Sequence, residues 1–144
     1  MDFVPSFTLR TGAGMVIFME EIQVEKYKQE IESMLPLCEY NRIKTKYLNK
    51  STLIGKKLIL IKKEEHKKYT QPYFVLWIAV VSDAGLQTTD NAGKSIAITL
   101  SQSQQNIDFY NSIQAGDVFV ISQYKIKNMT GYSYQVVQHA NNNK

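Results

Sequence analysis

Lysines and tyrosines are interleaved in two separate segments of this 144-residue chain, and together they could hold a nucleic acid. Ammonium groups neutralise phosphates, and every base has a π-face on which a phenol ring can stack. One segment lies between residues 56 and 73, the other between residues 125 and 134. With Lys94, they predict a groove for single-stranded nucleic acid formed by Lys56, Lys62, Lys63, Lys67, Lys68, Tyr69, Tyr73, Lys94, Lys125, Lys127, Tyr132 and Tyr134.

The positive charge of the chain is concentrated in one stretch. Residues 42–68 contain ten basic and two acidic residues, a net charge of +8, whereas the rest of the chain carries seven basic and eleven acidic residues, a net charge of −4. Such a block is typical of a phosphate-binding surface. It is equally typical of a solvated, lysine-rich edge that keeps a sheet from aggregating, and both interpretations stay open here.

No pattern in the sequence indicates covalent chemistry. There is no nucleophile elbow, no metalloprotease motif and no phosphate loop. His66 and His139 have no Cys, Asp or His partner at metal-ligand spacing, and the chain has a single cysteine, Cys38. We therefore expect no enzymatic activity, no catalytic residue, no cofactor and no metal site.

Composition favours a folded domain in a reducing compartment. Apolar residues make up 44% of the chain, one cysteine cannot form an intrachain disulfide, and the apolar run at residues 15–19 is too short for a signal core or a membrane span. We expect an N-terminal extension over residues 1–50, one domain over residues 51–140 and a disordered tail over residues 141–144.

The domain is predicted to contain five strands and one helix. Periodicity and turn residues place strands at 53–62, 73–82, 94–101, 117–127 and 132–138, with a helix at 104–113 between the third and the fourth strand. The segment 63–72 is then the first loop, and residues 128–131 form a tight connection before the last strand.

The extension contains an amphipathic segment at residues 20–35, predicted to be helical and ended by Pro36. Its apolar stripe, together with an apolar side chain on the second strand, gives the candidate partner-binding residues Val24, Tyr27, Ile31, Met34 and Trp77. The alternative is that the stripe packs on the sheet of the same chain.

The second strand is apolar on both faces. Phe74, Leu76, Ile78 and Val80 are the expected core set. This leaves an outer row containing Trp77, which must be covered by the amino-terminal helix, by stacked bases or by another protein. Trp77 is thus either a buried packing residue, a stacking platform or part of a partner interface.

Three segments resemble a known family. Residues 74–83 (FVLWIAVVSD), residues 116–121 (GDVFVI) and residues 125–127 (KIK) are similar to the OB domains of replication protein A and of telomere-end-binding and telomere-maintenance complexes. The resemblance implies a mainly β fold, a five-stranded OB-fold Greek-key barrel with a helix between strands three and four, here with an N-terminal helical extension. It also implies a non-enzymatic subunit of a nuclear multiprotein complex in telomere maintenance or replication, one that binds single-stranded DNA, favoured over RNA.

The same barrel can serve purely as a protein-binding scaffold. Such a chain would be an accessory subunit of a nucleic-acid-modifying enzyme complex, such as a DNA methyltransferase or polymerase assembly. The third strand favours this alternative, because its outer face offers only Ser95, Ala97 and Thr99 and therefore no stacking ring. A cytoplasmic OB protein associated with translation or tRNA is a third possibility. In every case we expect protein partners and neither a membrane nor a small-molecule substrate.

Overall fold

Strands dominate the computed structural model, which describes residues 6–10, 16–39, 43–67 and 71–140. The strands are β1 (Ser6–Arg10), β2 (Val16–Glu20), β3 (Thr45–Tyr47), β4 (Lys57–His66), β5 (Tyr73–Ser82), β6 (Gly85–Gln87), β7 (Ser95–Ser101), β8 (Val118–Ile126) and β9 (Met129–Gln138), and the helices are α1 (Lys28–Met34) and α2 (Gln104–Ser112). The predicted mainly β class is confirmed. Lys68, Tyr69 and the predicted tail at 141–144 lie outside the described residues.

The seven strands β3 to β9 form one sheet. Its order is β3-β7-β5-β4-β8-β9, with β6 paired to β5, and β1 and β2 form a separate antiparallel pair. All neighbours in the sheet are antiparallel except β3 and β7. Among the described residues no ladder joins β7 to β9, so the sheet is open and the barrel does not close.

The first strand of the predicted domain begins and ends later in the chain than expected, at Lys57 and His66. Residues 50–53 form a 3-10 turn, capped by the Asn49 side chain, which accepts a hydrogen bond from the Ser51 amide at 3.0 Å. β4 then continues to His66, because β5 offers it pairing partners as far as Tyr73. Residues 63–66, predicted to be loop, are therefore strand.

A β-bulge in β4 decides where its lysines lie. Leu60 pairs with Ile78, but Lys62 pairs with Trp77, so Ile61 is an extra residue in the strand. A bulge of this kind shifts which side chains face each side of the sheet. Lys62 consequently shares a face with Trp77, and the next residue lies on the opposite face.

The sheet buries both of its faces. One hydrophobic cluster, the inner cluster, lies between the curled strands and α2 and contains Leu53, Leu58, Leu60, Phe74, Leu76, Ile78, Val80, Ile96, Ile98, Leu100, Phe109, Ile113, Phe119 and Ile121. The predicted core set of β5 is therefore confirmed. A second cluster, the outer cluster, contains Ile31, Met34, Cys38, Ile59, Ile61, Val75, Trp77, Ala79, Ala97 and Val118.

The N-terminal segment covers the outer face of the sheet. The helix α1 is shorter than predicted, since residues 16–20 are strand β2 and residues 24–27 form a 3-10 turn. Ile31, Met34 and Trp77, predicted to bind a partner, are buried within the chain in this fold and offer no free surface to one. Val24 and Tyr27 are half-buried against the same outer cluster. The stripe thus packs on its own sheet, which was the alternative.

Cys38 is buried between the N-terminal segment, to which it belongs, and the outer face of the sheet. It is 1% exposed, and its Sγ donates a hydrogen bond to the Met34 carbonyl at 3.3 Å. Burial raises the pKa of the thiol to about 11, with Glu64 adding to the shift and Lys62 opposing it. The thiol is therefore un-ionised at neutral pH.

Asp117 fastens the end of β9 to the start of β8. Its carboxylate is 2% exposed and accepts hydrogen bonds from the backbone amides of Gln114 and Ala140, both at 2.8 Å. The preceding Gly116 has a φ of +92°, and a Cβ there would lie 2.9 Å from the Ala140 Cβ. The turn after α2 therefore needs glycine, both for its positive φ and for its close approach to Ala140.

Asp117→Asn should lower the free energy of unfolding by about 1–3 kcal/mol, because an amide nitrogen would face a buried backbone N–H. Urea denaturation followed by circular dichroism measures the change. Asp108→Asn, on the exposed side of α2, is the matched control and should change stability by less than about 0.5 kcal/mol. Equal stability of the Asp117 variant and the wild type would contradict the fastening role.

Candidate nucleic-acid interface

A cleft of about 810 Å³ lies where the sheet fails to close, between β7 with the start of α2 on one side and the β8–β9 hairpin on the other. We call it the tyrosine cleft. Its lining consists of Tyr47, Lys50, Tyr73, Thr99, Leu100, Ser101, Ser103, Gln105, Asn106, Tyr124, Thr130, Gly131, Tyr132 and Tyr134. Five of the nine tyrosines of the chain are in this set, and among the described residues no aspartate or glutamate lines the cleft.

The pairing of β8 and β9 places two of these rings side by side. Tyr132 pairs with Gln123 and Tyr134 pairs with Ile121, so both rings emerge on the face that carries the inner cluster. Tyr134 stacks on Phe109 with the ring centroids 5.4 Å apart. Burial raises the pKa of Tyr134, and Tyr132 adds to the shift. Tyr134 is thus the anchored wall of the cleft, and Tyr132 lies nearer its mouth.

Tyr124 reaches the cleft by crossing its partner strand. It pairs with Gly131, and a Cβ at Gly131 would overlap the Tyr124 ring, so glycine lets the ring lie over the neighbouring backbone. The hairpin turn is at Lys127 and Asn128, with φ of +49° and +69°. Positive φ at both positions is the type I′ pattern. The predicted connection at 128–131 is therefore wrong, and Gly131 serves the tyrosine ring instead of the turn.

Tyr73 closes the far end of the tyrosine cleft. It is the first residue of β5 and pairs with Ser101 of β7. Its ring stacks with His66, the ring centroids being 5.5 Å apart. The structure thus brings Tyr73, Tyr132 and Tyr134 of the predicted groove to one cleft, and adds Tyr47 and Tyr124 to them.

Lys50 is the charged residue in the lining of the cleft. β3 pairs with β7 only as far as Tyr47 and Ala97, so the Thr99 carbonyl lies beyond that ladder. The Lys50 Nζ donates a hydrogen bond to this carbonyl at 2.9 Å and lies 5.9 Å from the centroid of the Tyr132 ring. Burial lowers the pKa of Lys50. Sequence reasoning missed this residue, although it belongs to the basic stretch, because the segment was assigned to the extension.

Lys62 and Lys63 are engaged elsewhere, which corrects their assignment to the groove. The Lys62 Nζ donates to the Cys38 carbonyl at 3.0 Å and forms an ion pair with Glu64 at 2.8 Å on the outer face. The Lys63 Nζ donates to the Tyr110 carbonyl at 2.6 Å and lies 4.5 Å from the centroid of that ring. The last carbonyl groups of a helix have no hydrogen-bond donor within the helix, and Lys63 supplies one to the Tyr110 carbonyl near the end of α2.

The other lysines of the predicted groove that the structure describes do not line the cleft. Lys125 pairs with Thr130, a lining residue, and so projects from the cleft-facing side of the hairpin, while Lys127 is in the turn. Lys56 and Lys67, which come just before and just after β4 in the chain, are exposed. Lys94 comes just before β7 and is half-buried. The structure therefore does not bring the described lysines of the predicted groove together around one cleft. Aromatic rings, one ammonium group and polar side chains form the cleft instead.

One wall of the tyrosine cleft is polar. Ser103 is the N-cap of α2, and its Oγ accepts a hydrogen bond from the Asn106 amide at 3.3 Å. The Asn106 side chain in turn donates to the Ser101 carbonyl at 3.0 Å. Stacking surfaces thus face hydrogen-bonding groups across the cleft, and the positive end of the α2 dipole is at its edge.

Comparison of the chain with protein-family models, with curated proteins and with solved structures gives no match. In the described part of the chain, no helix combines the length and apolar character needed to cross a bilayer. Within the same residues, no group of three or more His, Cys, Asp or Glu side chains is placed to hold a metal ion.

Proposed function

We propose that this chain is a non-enzymatic OB-fold subunit that binds single-stranded nucleic acid in the tyrosine cleft. The observation that carries the proposal is the gathering of five tyrosine rings and Lys50 around a cleft that no carboxylate of the described residues lines. Rings stack on bases of any sequence, and an ammonium group neutralises a phosphate. Base stacking needs no covalent chemistry, which agrees with the absence of catalytic motifs from the sequence.

The strand order supports the OB-fold part of the proposal. The five long strands lie in the order β7-β5-β4-β8-β9, and α2 connects β7 to β8. In chain order this is third, second, first, fourth and fifth, which is the Greek-key arrangement expected of an OB barrel opened between its third and fifth strands. In this proposal the gap in the barrel is the ligand site.

The resemblance supplies the setting of the proposal. We place the chain in a nuclear multiprotein complex of telomere maintenance or replication, with DNA favoured over RNA. The N-terminal segment would stabilise the subunit by covering the outer face of its sheet, since α1 contributes Ile31 and Met34 to the outer cluster.

Fluorescence anisotropy tests this proposal with a labelled oligothymidine of about 15 nucleotides, long enough for a site of one OB fold. We expect saturable binding that is micromolar or tighter at low salt and weakens as salt rises. Lys50→Met should reduce the slope of log K against log salt by about 0.7, the share of one phosphate contact on a single strand.

Lys46→Met is the matched control, because Lys46 is exposed on the neighbouring strand β3 and does not line the cleft. It should leave the slope unchanged to within about 0.2. Failure of the wild type to bind the oligonucleotide would contradict the proposed function. Binding with an unaltered slope in the Lys50 variant would contradict only the role of Lys50.

Exposed apolar side chains favour a second candidate function, that of a protein-binding scaffold in a nucleic-acid-modifying enzyme complex. Leu35 is 42% exposed, Leu37 is 46% exposed and Ile43 is 78% exposed. Large apolar side chains that are exposed to water are candidates for contact with another protein. A chain that bound no oligonucleotide but stayed soluble only with a partner subunit would favour this function.

A further inference from the structure

The β8–β9 hairpin extends beyond the rest of the sheet. β4 pairs with β8 only at Leu58–Phe119 and Ile59–Val118, whereas β8 and β9 pair with each other as far as Ile126 and Met129. Residues 122–130 are all exposed. The end of the hairpin, residues 124–131, is therefore a two-stranded ribbon, which we call the hairpin tip.

The hairpin tip has an apolar face and a basic one. Tyr124, Ile126 and Met129 share a face, because Ile126 pairs with Met129 two residues beyond the pair of Tyr124 with Gly131. Ile126 is 61% exposed and Met129 is 73% exposed. Lys125 projects from the opposite face, and residues 118–138 contain no acidic residue. The apolar side chains of the tip are thus exposed to water, and the charged residues of the hairpin are two lysines, Lys125 and Lys127.

The apolar face is on the side of the hairpin opposite Lys125, and the Tyr124 ring, which lies over Gly131, connects it with the tyrosine cleft. Tyr124 belongs both to this face and to the cleft lining, and Thr130 and Gly131 of the tip also line the cleft. A nucleic-acid strand that leaves the cleft past the Tyr124 ring, around the edge strand β9, reaches Ile126 and Met129. Isoleucine and methionine are among the apolar side chains that proteins insert between base steps of a duplex, where they contact the faces of the bases. The flanking lysines suit the phosphates of both strands.

We propose that the ligand is a junction between single-stranded and double-stranded nucleic acid. The single strand lies in the tyrosine cleft, while Ile126 and Met129 stack on the terminal base pair of the duplex. This inference rests on the proposed function and adds the duplex end as the second part of the ligand. The charge of the tip favours this occupant over an apolar protein surface, since lysines on a protein interface would need carboxylates opposite them.

Anisotropy with three labelled probes tests the inference. They are an oligothymidine of about 15 nucleotides, the same strand extending from a hairpin duplex of roughly 10 base pairs, and that duplex alone with a blunt end. The wild type should bind the junction at least about fivefold more tightly than the single strand, and the blunt duplex most weakly.

The double variant Ile126→Ser/Met129→Ser should bind the junction and the single strand equally, with its single-strand affinity within about twofold of the wild type. Both side chains are exposed, so the variant should fold normally. Leu37→Ser/Ile43→Ser is the matched control, because it removes exposed apolar side chains from the N-terminal segment, and it should keep the preference for the junction.

Equal binding of junction and single strand by the wild type would overturn the inference and leave the proposed function standing. Binding of no probe would overturn both. A junction preference that survives in the tip variant would overturn the role of Ile126 and Met129. A change of the tip variant from dimer to monomer in light scattering would assign the apolar face to a second copy of the chain, and so overturn the inference.

Discussion

Replacing both Tyr124 and Tyr132 by alanine is expected to weaken the binding of single-stranded oligothymidine at least about 30-fold, because each ring that stacks on a base contributes about 1–3 kcal/mol. The two rings lie on opposite faces of the hairpin, yet both line the tyrosine cleft. Anisotropy titration at low salt measures the loss. The salt slope should stay as in the wild type, since stacking releases no counterions.

Stability must be separated from binding in this experiment. Tyr124 is 40% exposed, whereas Tyr132 is half-buried against the inner cluster, so the double variant is first compared with the wild type in urea denaturation. The variant Tyr124→Phe/Tyr132→Phe keeps the rings and should keep most of the affinity. Tyr27→Ala removes a tyrosine that packs on the outer cluster, away from the cleft, and should bind like the wild type. A double alanine variant that binds within about twofold of the wild type would contradict the stacking role.

Trp77→Ala is expected to lower the free energy of unfolding by about 3–5 kcal/mol, the usual loss when a buried aromatic side chain becomes a cavity. Trp77 is fully buried in the outer cluster, and its Nε1 donates a hydrogen bond to the Thr45 Oγ1 at 3.3 Å. The Lys62 Nζ lies 5.5 Å from the centroid of its rings. The alanine variant therefore loses packing, a hydrogen bond and a cation–π contact together.

Urea denaturation followed by circular dichroism measures this loss. Trp77→Phe should lose less, because it keeps an aromatic ring and gives up mainly volume and the bond to Thr45. Ile43→Ala, at a 78% exposed position, should change stability by less than about 0.5 kcal/mol. A Trp77→Ala variant as stable as the Ile43 variant would show that the outer cluster does not stabilise the fold.

The sequence predicts best those elements whose limits have local physical causes. β5 occupies residues 73–82 as expected, because an unbroken apolar run lies between Pro72 and Asp83. α2 begins at the predicted residue, since Ser103 caps its first turn, and it ends one residue early. The apolar residues on both faces of β5 also predict that both faces are covered. Which part of the molecule covers the outer face depends on the tertiary structure.

The candidate site was predicted only in part, because its geometry depends on pairing register. The bulge at Ile61 leaves no mark in composition, yet it sends Lys62 to the outer face and Lys63 to the end of α2. Asn128 and Gly131 both favour turns, and only the Tyr124 ring reveals that the glycine belongs to a strand. The place of Lys50 in the cleft lining depends on where β3 stops pairing with β7, which residue types alone do not show.

The sealed position of Cys38 makes this chain convenient for kinetic work. Cys38 is the sole cysteine, it is buried, and its thiolate is scarcely populated at neutral pH. An alkylating reagent can therefore modify it only after the N-terminal segment detaches from the sheet. The rate of modification therefore counts detachment events without any engineered label. Comparing that rate with and without an oligonucleotide would show whether a ligand in the tyrosine cleft changes how often the N-terminal segment detaches from the outer face of the sheet.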